Sequence, residues 1–380
     1  MTISKVEVLP VSLPLKHPYS ISGGPVRTLD HVIIKIHTLD GIIGLGEASP
    51  LPEYSDETQE GIMIALRKYL VPAILGQDPL EISNVLGRME SAISGHTFAK
   101  AAIDIALWDI AGKVTKSPVY RLLGGLCRDK ISLTWCIGMG KTEDMVKEAI
   151  DSVEKGFPTV KIKVGKDPEK DLQNVAAIRD AIGNGYRIRV DANQGYTRDV
   201  AIRTLRKMEN YELQLIEQPV DRFDLDGMAD IARTLDTPVL ADESVFTPAD
   251  AIRVVRKEAA DVINIKIMKP GGLANSRKIA NIAEAAGIPC LVGSNLEMGV
   301  GITAGAHFAA ATQNITYESD LVSPVMYLLA DDVLNESYRL SGHFFEVPKG
   351  FGLGVEVDEE KMHRYASKDL YSETLESKQA

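Results

Sequence analysis

Apolar and polar residues alternate at the start of the chain. "ISKVEVLPVSLPL" and "HVIIKIHT" (31–38) carry the two-residue period of half-buried strands. "LDGIIGLGEA" follows an Asp-Gly turn, so 31–48 predicts a hairpin in a small antiparallel sheet. The period then changes. Residues 57–74 and 80–94 repeat at helical spacing, and "TFAKAAIDIALWDIAGK" (97–113) predicts an alanine-rich helix that stops at Gly112. Residues 1–125 therefore predict an α+β domain, with "LLGGLCRDK" leading out of it.

From about residue 130 the pattern becomes strand, loop, helix, repeated. The predicted strands are "SLTWCI" (132–137), "TVKIKV" (159–164), "RIRVDA" (187–192), "LQLIEQ" (213–218), "PVLADE" (238–243), "VINIKI" (262–267), "PCLVGS" (289–294) and "ITYESD" (315–320). Intervening helices such as "MVKEAIDSVEKG" and "SRKIANIAEAAG" end at glycine. Such alternation predicts a parallel sheet with right-handed crossovers, and eight units over about 190 residues match a β/α barrel. An open doubly wound sheet would need a glycine-rich fingerprint. The nearest stretch, "GMGKT" (138–142), lacks the further glycine of a phosphate loop because position 135 is Trp.

Barrel strands present reactive groups at their carboxyl ends. Strand two gives Lys161 and Lys163, strand three Asp191 and Asn193, strand four Glu217 and Gln218, strand five Asp242 and Glu243. Strand six gives Asn264 and Lys266, strand seven Ser294, Asn295 and Glu297, strand eight Glu318 and Asp320. Asp191, Glu217, Asp242 and Lys266 follow one another at steps of 26, 25 and 24 residues, one barrel unit each. Three carboxylates at one height on adjacent strands cannot all stay ionised without a cation, and oxygen-only ligands favour Mg²⁺ or Mn²⁺. A single acid would more simply cap a helix; three in register favour the metal. Lys163 and Lys266 would flank a substrate between them, stabilising the enediolate formed when a proton leaves the carbon α to a carboxylate. A free lysine is a weak base at neutral pH, so Lys161, on the same strand face, is expected to lower the pKa of Lys163. On an isolated edge strand the pair would instead be snorkelling surface lysines.

Composition narrows the partners. A net charge of −11 offers no basic surplus for nucleic acid or an anionic membrane. The cysteines Cys127, Cys136 and Cys290 are odd in number and unclustered, which disfavours a disulfide framework or a zinc site. No apolar run reaches about 18 residues. "MTISKVEVLP" has no signal-peptide pattern, so a cytoplasmic protein is expected.

Several motifs together resemble the muconate lactonizing enzyme subgroup of the enolase superfamily. They are "GEASP" (46–50), "AIDIALWDIAGK" (102–113), "LLGG" (122–125), "KIKVG" (161–165), "RVDANQGY" (189–196), "IEQPV" (216–220), "LADES" (240–244), "NIKIMKPGGL" (264–273) and "GFGLGVEVD" (350–358). The resemblance implies a modified (β/α)8-type, TIM-like barrel (126–340) under an α+β capping domain completed by the C-terminal segment (341–380). It implies Lys163 and Lys266 as acid/base catalysts and Asp191, Glu217 and Asp242 as Mg²⁺ ligands. Lys161, Asn193, Glu243, Glu297 and Asp320 would support them. The substrate is expected to be a small carboxylate and the protein a homo-oligomer. Capping loops around Tyr19–Gly24 and Leu51–Ser55 would shape the pocket, with Tyr19, Tyr54, Trp135, Ser294 and Asn295 as walls and Arg27 just beyond. His96, His307, Trp108 and Met298 read as structural.

Departures narrow the activity. Strand seven ends "VGSNLE", without the His of the mandelate-racemase type. "DLVSP" (320–324) puts Val322 where dipeptide epimerases of the subgroup carry a second Asp. "GSNLEMGVG" (293–301) resembles the matching segment of muconate cycloisomerases. Racemisation or epimerisation and muconate-type cycloisomerisation are both expected readings. A dehydratase of a hydroxy acid or hydroxyproline is the alternative, and a non-catalytic binding barrel the remote one.

Overall fold

The computed structural model describes residues 1–21, 24–52, 54–321, 331–336 and 338–377. Two long strands, β1 (Ile3–Ile21) and β2 (Gly24–Thr38), pair antiparallel, and β3 (Ile43–Ala48) extends the sheet in the predicted hairpin. Helix α1 (Thr97–Val114) lies against this sheet with nearly every residue buried, as its all-round apolar sequence requires. It does not stop at Gly112 as expected. A Cβ there would come within 2.6 Å of Gly352, so that glycine serves close packing against the C-terminal segment. The chain's last strand, β14 (Glu373–Glu376), returns to pair with β1, and the sheet order is β14–β1–β2–β3. The cap is thus built from both ends of the chain.

Between these ends lies a seven-stranded sheet of sequential parallel neighbours: β5 (Trp135–Ile137), β6 (Thr159–Lys163), β7 (Arg187–Asp191), β8 (Leu213–Glu217), β9 (Val239–Ala241), β10 (Val262–Ile265) and β11 (Cys290–Val292). The expected first strand is split. Its start, β4 (Lys130–Ser132), pairs instead with β13 (Phe344–Glu346), next to β12 (Leu340–Ser341). Leu133 then donates to His343 and Thr134 to Ser319, so the backbone changes partners before β5 begins. The expected eighth strand is not a regular strand either. Residues 315–320 form isolated bridges rather than a continuous ladder, Ile315 with Cys290 and Ser319 with Leu133; Thr316 and Asp320 N–H also donate to the Cys290 and Val292 carbonyls, and ion pairs from Arg187 and Arg189 grip Glu318 at 2.6 Å.

Strand alternation stacks the barrel interior in layers. Leu215, Leu240, Val262 and Leu291 form an apolar plug. Two residues beyond Leu215, Leu240 and Val262 come Glu217, Asp242 and Asn264. The interior is therefore apolar below and ionic above. Among the described residues no helix is long and apolar enough to cross a membrane.

Candidate active site

Strand register decides which side chains meet. Lys163 pairs with Asp191 across β6 and β7, and Asp191 with Glu217 across β7 and β8. Lys163 Nζ donates to Asp191 Oδ2 at 2.6 Å and to Asn193 Oδ1 at 2.8 Å. Lys161 Nζ lies 2.5 Å from Asp320 Oδ2, 3.1 Å from Glu217 Oε2 and 3.6 Å from Asp191 Oδ2. On the far side Lys266 Nζ is 2.7 Å from Asp242 Oδ2 and donates to the Tyr54 hydroxyl at 2.8 Å. Asn193 Nδ2 donates to Glu243 at 3.0 Å, and Asn264 Nδ2 to Glu217 at 2.9 Å. All of these acids and lysines are buried. A Cβ on Gly293 would lie 2.4 Å from Asn264 Oδ1, so only glycine lets the end of β11 approach that amide.

A cavity of about 40 Å³ lies among Tyr19, Tyr54, Lys161, Lys163, Lys266 and Asp320, walled also by Ser294 and Asn295. One expectation fails here. Trp135 is not a pocket wall: it pairs in register with Val160, packs edge-on against Phe157 at 5.0 Å, and its Nε1 donates to Glu148 on α2 (Thr142–Glu154). Its neighbour Cys136, in register with Lys161, lines the cavity instead. Glu297, expected to support the site, bonds to the loop that carries Ser294 and Asn295, accepting from the Ser294 hydroxyl and, at 2.9 Å, from Asn295 N–H. Val322 lies outside the described residues, as do Ser22, Gly23 and Glu53 of the capping loops.

Electrostatics explain why the cluster is charged as it is. Burial and the negative neighbours Asp191 and Asp242 push Glu217 up to about 7, against Lys161. Burial, Asp242 and Asp191 push Glu243 up to about 8. Burial would also raise Asp242, but Lys266 and Lys269 hold it far below the usual carboxylate range. The expected lowering of the Lys163 pKa by Lys161 is present but does not set the net shift. Burial and Lys161 do lower it, yet Asp191 outweighs them and the net shift is upward.

A divalent cation fits the chemistry of this donor set. Asp191, Glu217 and Asp242 offer only oxygens, burial and their mutual repulsion lift Glu217, and among the described residues the buried Glu243 Oε2 has no hydrogen-bond partner. Among the described residues no three acids are gathered into a closed ligand set, because each of these carboxylates leans on a lysine instead.

Sequence reasoning missed Lys269. It is fully buried and donates to Asp242 Oδ1 at 2.7 Å, to the Asp242 carbonyl at 2.5 Å and to the Asn264 carbonyl at 3.1 Å. Strand β10 ends at Ile265, and the turn after it folds Lys269 back under the acids, which a strand pattern cannot signal. Left-handed backbone at Asn193 (φ 39°), Gln218 (φ 33°) and Leu296 (φ 61°) marks three strand ends, a clustering of strain found at working sites. A larger open groove of about 940 Å³, edged by Lys113, Lys130, Arg339 and Glu356, lies elsewhere and gathers no comparable buried cluster.

A capped barrel with lysines on strands two and six bracketing carboxylates on three to five is the architecture of an enolase-superfamily isomerase. Residues 3–124 match the mandelate racemase / muconate lactonizing enzyme N-terminal domain, and 144–361 match the enolase C-terminal domain-like family. The chain is 38% identical to L-Ala-D/L-Glu epimerase of Bacillus subtilis over 358 residues, 93% of this chain and 97% of that one. It is 34% identical to muconate cycloisomerase 1 of Rhodococcus opacus, covering 94% and 96%. The crystal structure of N-succinyl Arg/Lys racemase from Bacillus cereus superposes with a TM-score of 0.95 at 34% identity, over 99% of this chain and all of that one. A dipeptide epimerase from Enterococcus faecalis, solved with Mg and the dipeptide L-Leu-L-Tyr, superposes at 0.90 with 36% identity, covering 93% and 99%. The chain belongs to the mandelate racemase/muconate lactonizing enzyme family of the enolase superfamily. It is an isomerase of the muconate lactonizing subgroup, among whose members are epimerases, racemases and cycloisomerases.

Proposed function

We propose that this isomerase moves the proton α to a substrate carboxylate, with Lys163 and Lys266 as its two bases and Asp191, Glu217 and Asp242 as ligands of Mg²⁺, or Mn²⁺. The supporting observation is that the two lysines enter one cavity from strands two and six, each bonded to an end member of the carboxylate row. A divalent cation held by these carboxylates would supply positive charge beside the substrate carboxylate and offset the charge of Asp191. Lys163 in its neutral form accepts the α-proton at Nζ, with Asn193 fixing its direction. Lys266, steadied by the Tyr54 hydroxyl, delivers a proton to the opposite face. Lys161, held by Asp320, remains a fixed cation beside the developing enediolate. Tyr19 and Tyr54 exclude water from above.

Two bases on opposite faces favour 1,1-proton transfer, hence racemisation or epimerisation, over cycloisomerisation, which needs only one proton donor. The test is incubation with Mg²⁺ in D₂O with N-acylamino acids, dipeptides and muconates, read by NMR. Exchange or turnover that EDTA abolishes and Mg²⁺ restores is expected. Activity undiminished after exhaustive chelation contradicts the proposal.

A further inference from the structure

We infer that Asn295 binds an amide N–H on the reacting α-carbon, so that the substrate class is N-acylated amino acids, dipeptides included, rather than muconates. This rests on the α-proton chemistry proposed for the same cavity. Asn295 follows β11 and lines the cavity together with both lysines. Its side chain is buried, and neither Nδ2 nor Oδ1 has a hydrogen-bond partner among the described residues. The surrounding loop leaves nothing to satisfy it. Ser294 Oγ donates to Glu297 and accepts from Leu296 N–H at 2.9 Å, and the backbone N–H of Asn295 is taken by Glu297.

The loop holding this amide is itself constrained. Leu296 sits at φ 61°, a conformation that a leucine adopts only at a cost, and the two bonds to Glu297 fix it there. A buried carboxamide without partners destabilises the fold, and an apolar side chain of similar size would avoid that. A ligand is the remaining partner. Whichever way the amide is turned, one end accepts and the other donates. The ligand must therefore bring a donor as well as an acceptor. A muconate dianion brings acceptors only and would leave Oδ1 unpaired. The N–H of an acylated α-nitrogen supplies the donor, and the adjoining acyl or carboxyl oxygen supplies the acceptor. A free α-ammonium also donates, but a neutral carboxamide gives that charge no counterion in a buried site.

The experiment compares the Mg²⁺-loaded protein with Asn295→Leu, and with Asn295→Ala as a variant too small to clash. Both are assayed in D₂O against N-acetyl and N-succinyl amino acids, dipeptides, the free amino acids and cis,cis-muconate. Wild type is expected to exchange the α-proton of the acylated compounds in preference to the others. The variants should lose about 10- to 100-fold in kcat/KM on them, the scale of one lost buried hydrogen-bonding group. Without substrate, Asn295→Leu should melt higher than wild type. Preferential turnover of muconate or of free amino acids overturns this inference and leaves the α-proton reading standing. No turnover of any compound overturns both. Unchanged kcat/KM in the variants, or a lower melting temperature in Asn295→Leu, shows that Asn295 already has a partner and overturns the inference alone.

Discussion

Two sets of buried carboxylates are held in different ways in this molecule. The first set ties distant segments together, and backbone amides hold it, with His31 beside Glu47 and Lys113 beside Asp109. Glu47 accepts from Met298 and Gly301 N–H, both at 2.7 Å, at the start of helix α4 (Gly299–Ala311). Asp104 accepts from Leu273 N–H at 2.5 Å at the start of α3 (Leu273–Ala285), and Asp109 from Leu45 and Leu353 N–H at 2.9 and 2.8 Å. The second set, Asp191, Glu217 and Asp242, is held mainly by lysine and asparagine side chains. Backbone amides are directional and cannot leave, so an acid they satisfy is a staple. Ammonium groups on flexible stems can exchange for a metal ion or a substrate, so an acid they satisfy remains available for chemistry. Burial is common to both sets; what differs is whether backbone amides reach each acid across the molecule, as they do for Glu47, Asp104 and Asp109.

Swapping one acid from each set should break the comparison most visibly. Glu217→Gln is expected to lower kcat by about 1000-fold or more, the scale of lost electrostatic stabilisation at a reacting centre. Its melting temperature in EDTA should stay level or rise, because burial and like charges already disfavour the ionised form. Calorimetry beside the D₂O assay reads both, and a large drop in melting temperature would move Glu217 into the structural set. Asp104 supplies the next largest effect. Burial pushes its pKa up to about 7, against the Leu273 and Ala274 amides and the Trp108 side chain. Its folded-state pKa is raised above the unfolded value, so its stabilisation is fully present below about 3.8 and is lost as pH rises through about 7. That amounts to about 4 kcal/mol. Asp104→Asn should remove that slope from denaturant melts taken across the range. Asp109→Ala should cost about 3 kcal/mol by stranding buried backbone N–H groups while leaving kcat of the folded enzyme within about two-fold. An equal loss in kcat would show that the staples also tune the site.

The working set was the more legible of the two in the sequence. A β/α repeat places equivalent residues about 25 positions apart, so Asp191, Glu217, Asp242 and Lys266 announce a common height by spacing alone. Lys163 follows from alternation on a single strand. The staples carry no such signal: Glu47 meets Met298 across 251 positions and Asp109 meets Leu353 across 244. Errors in the site fell where the backbone leaves its regular period. Trp135 enters as a pocket wall through the resemblance alone, whereas the backbone changes partners at Leu133 and Thr134, and Cys136, in register with Lys161, lines the cavity. Lys269 was missed because it acts from a turn. Residues 315–320 alternate like a strand, but arginines reaching Glu318 hold them as much as any ladder does.

The central claim is that two exchangeable lysines stand on opposite faces of one substrate. The most direct measurement is α-proton exchange in D₂O with each enantiomer of a turned-over substrate, using Lys163→Ala and Lys266→Ala. Inversion needs both bases and exchange needs only one. Each variant should therefore lose inversion entirely while retaining exchange of a single enantiomer, and the retained enantiomer should be opposite in the two proteins. If Lys266→Ala still inverts both enantiomers at the wild-type rate, the two-base account is wrong, and Lys266 is a stationary charge beside a one-base reaction.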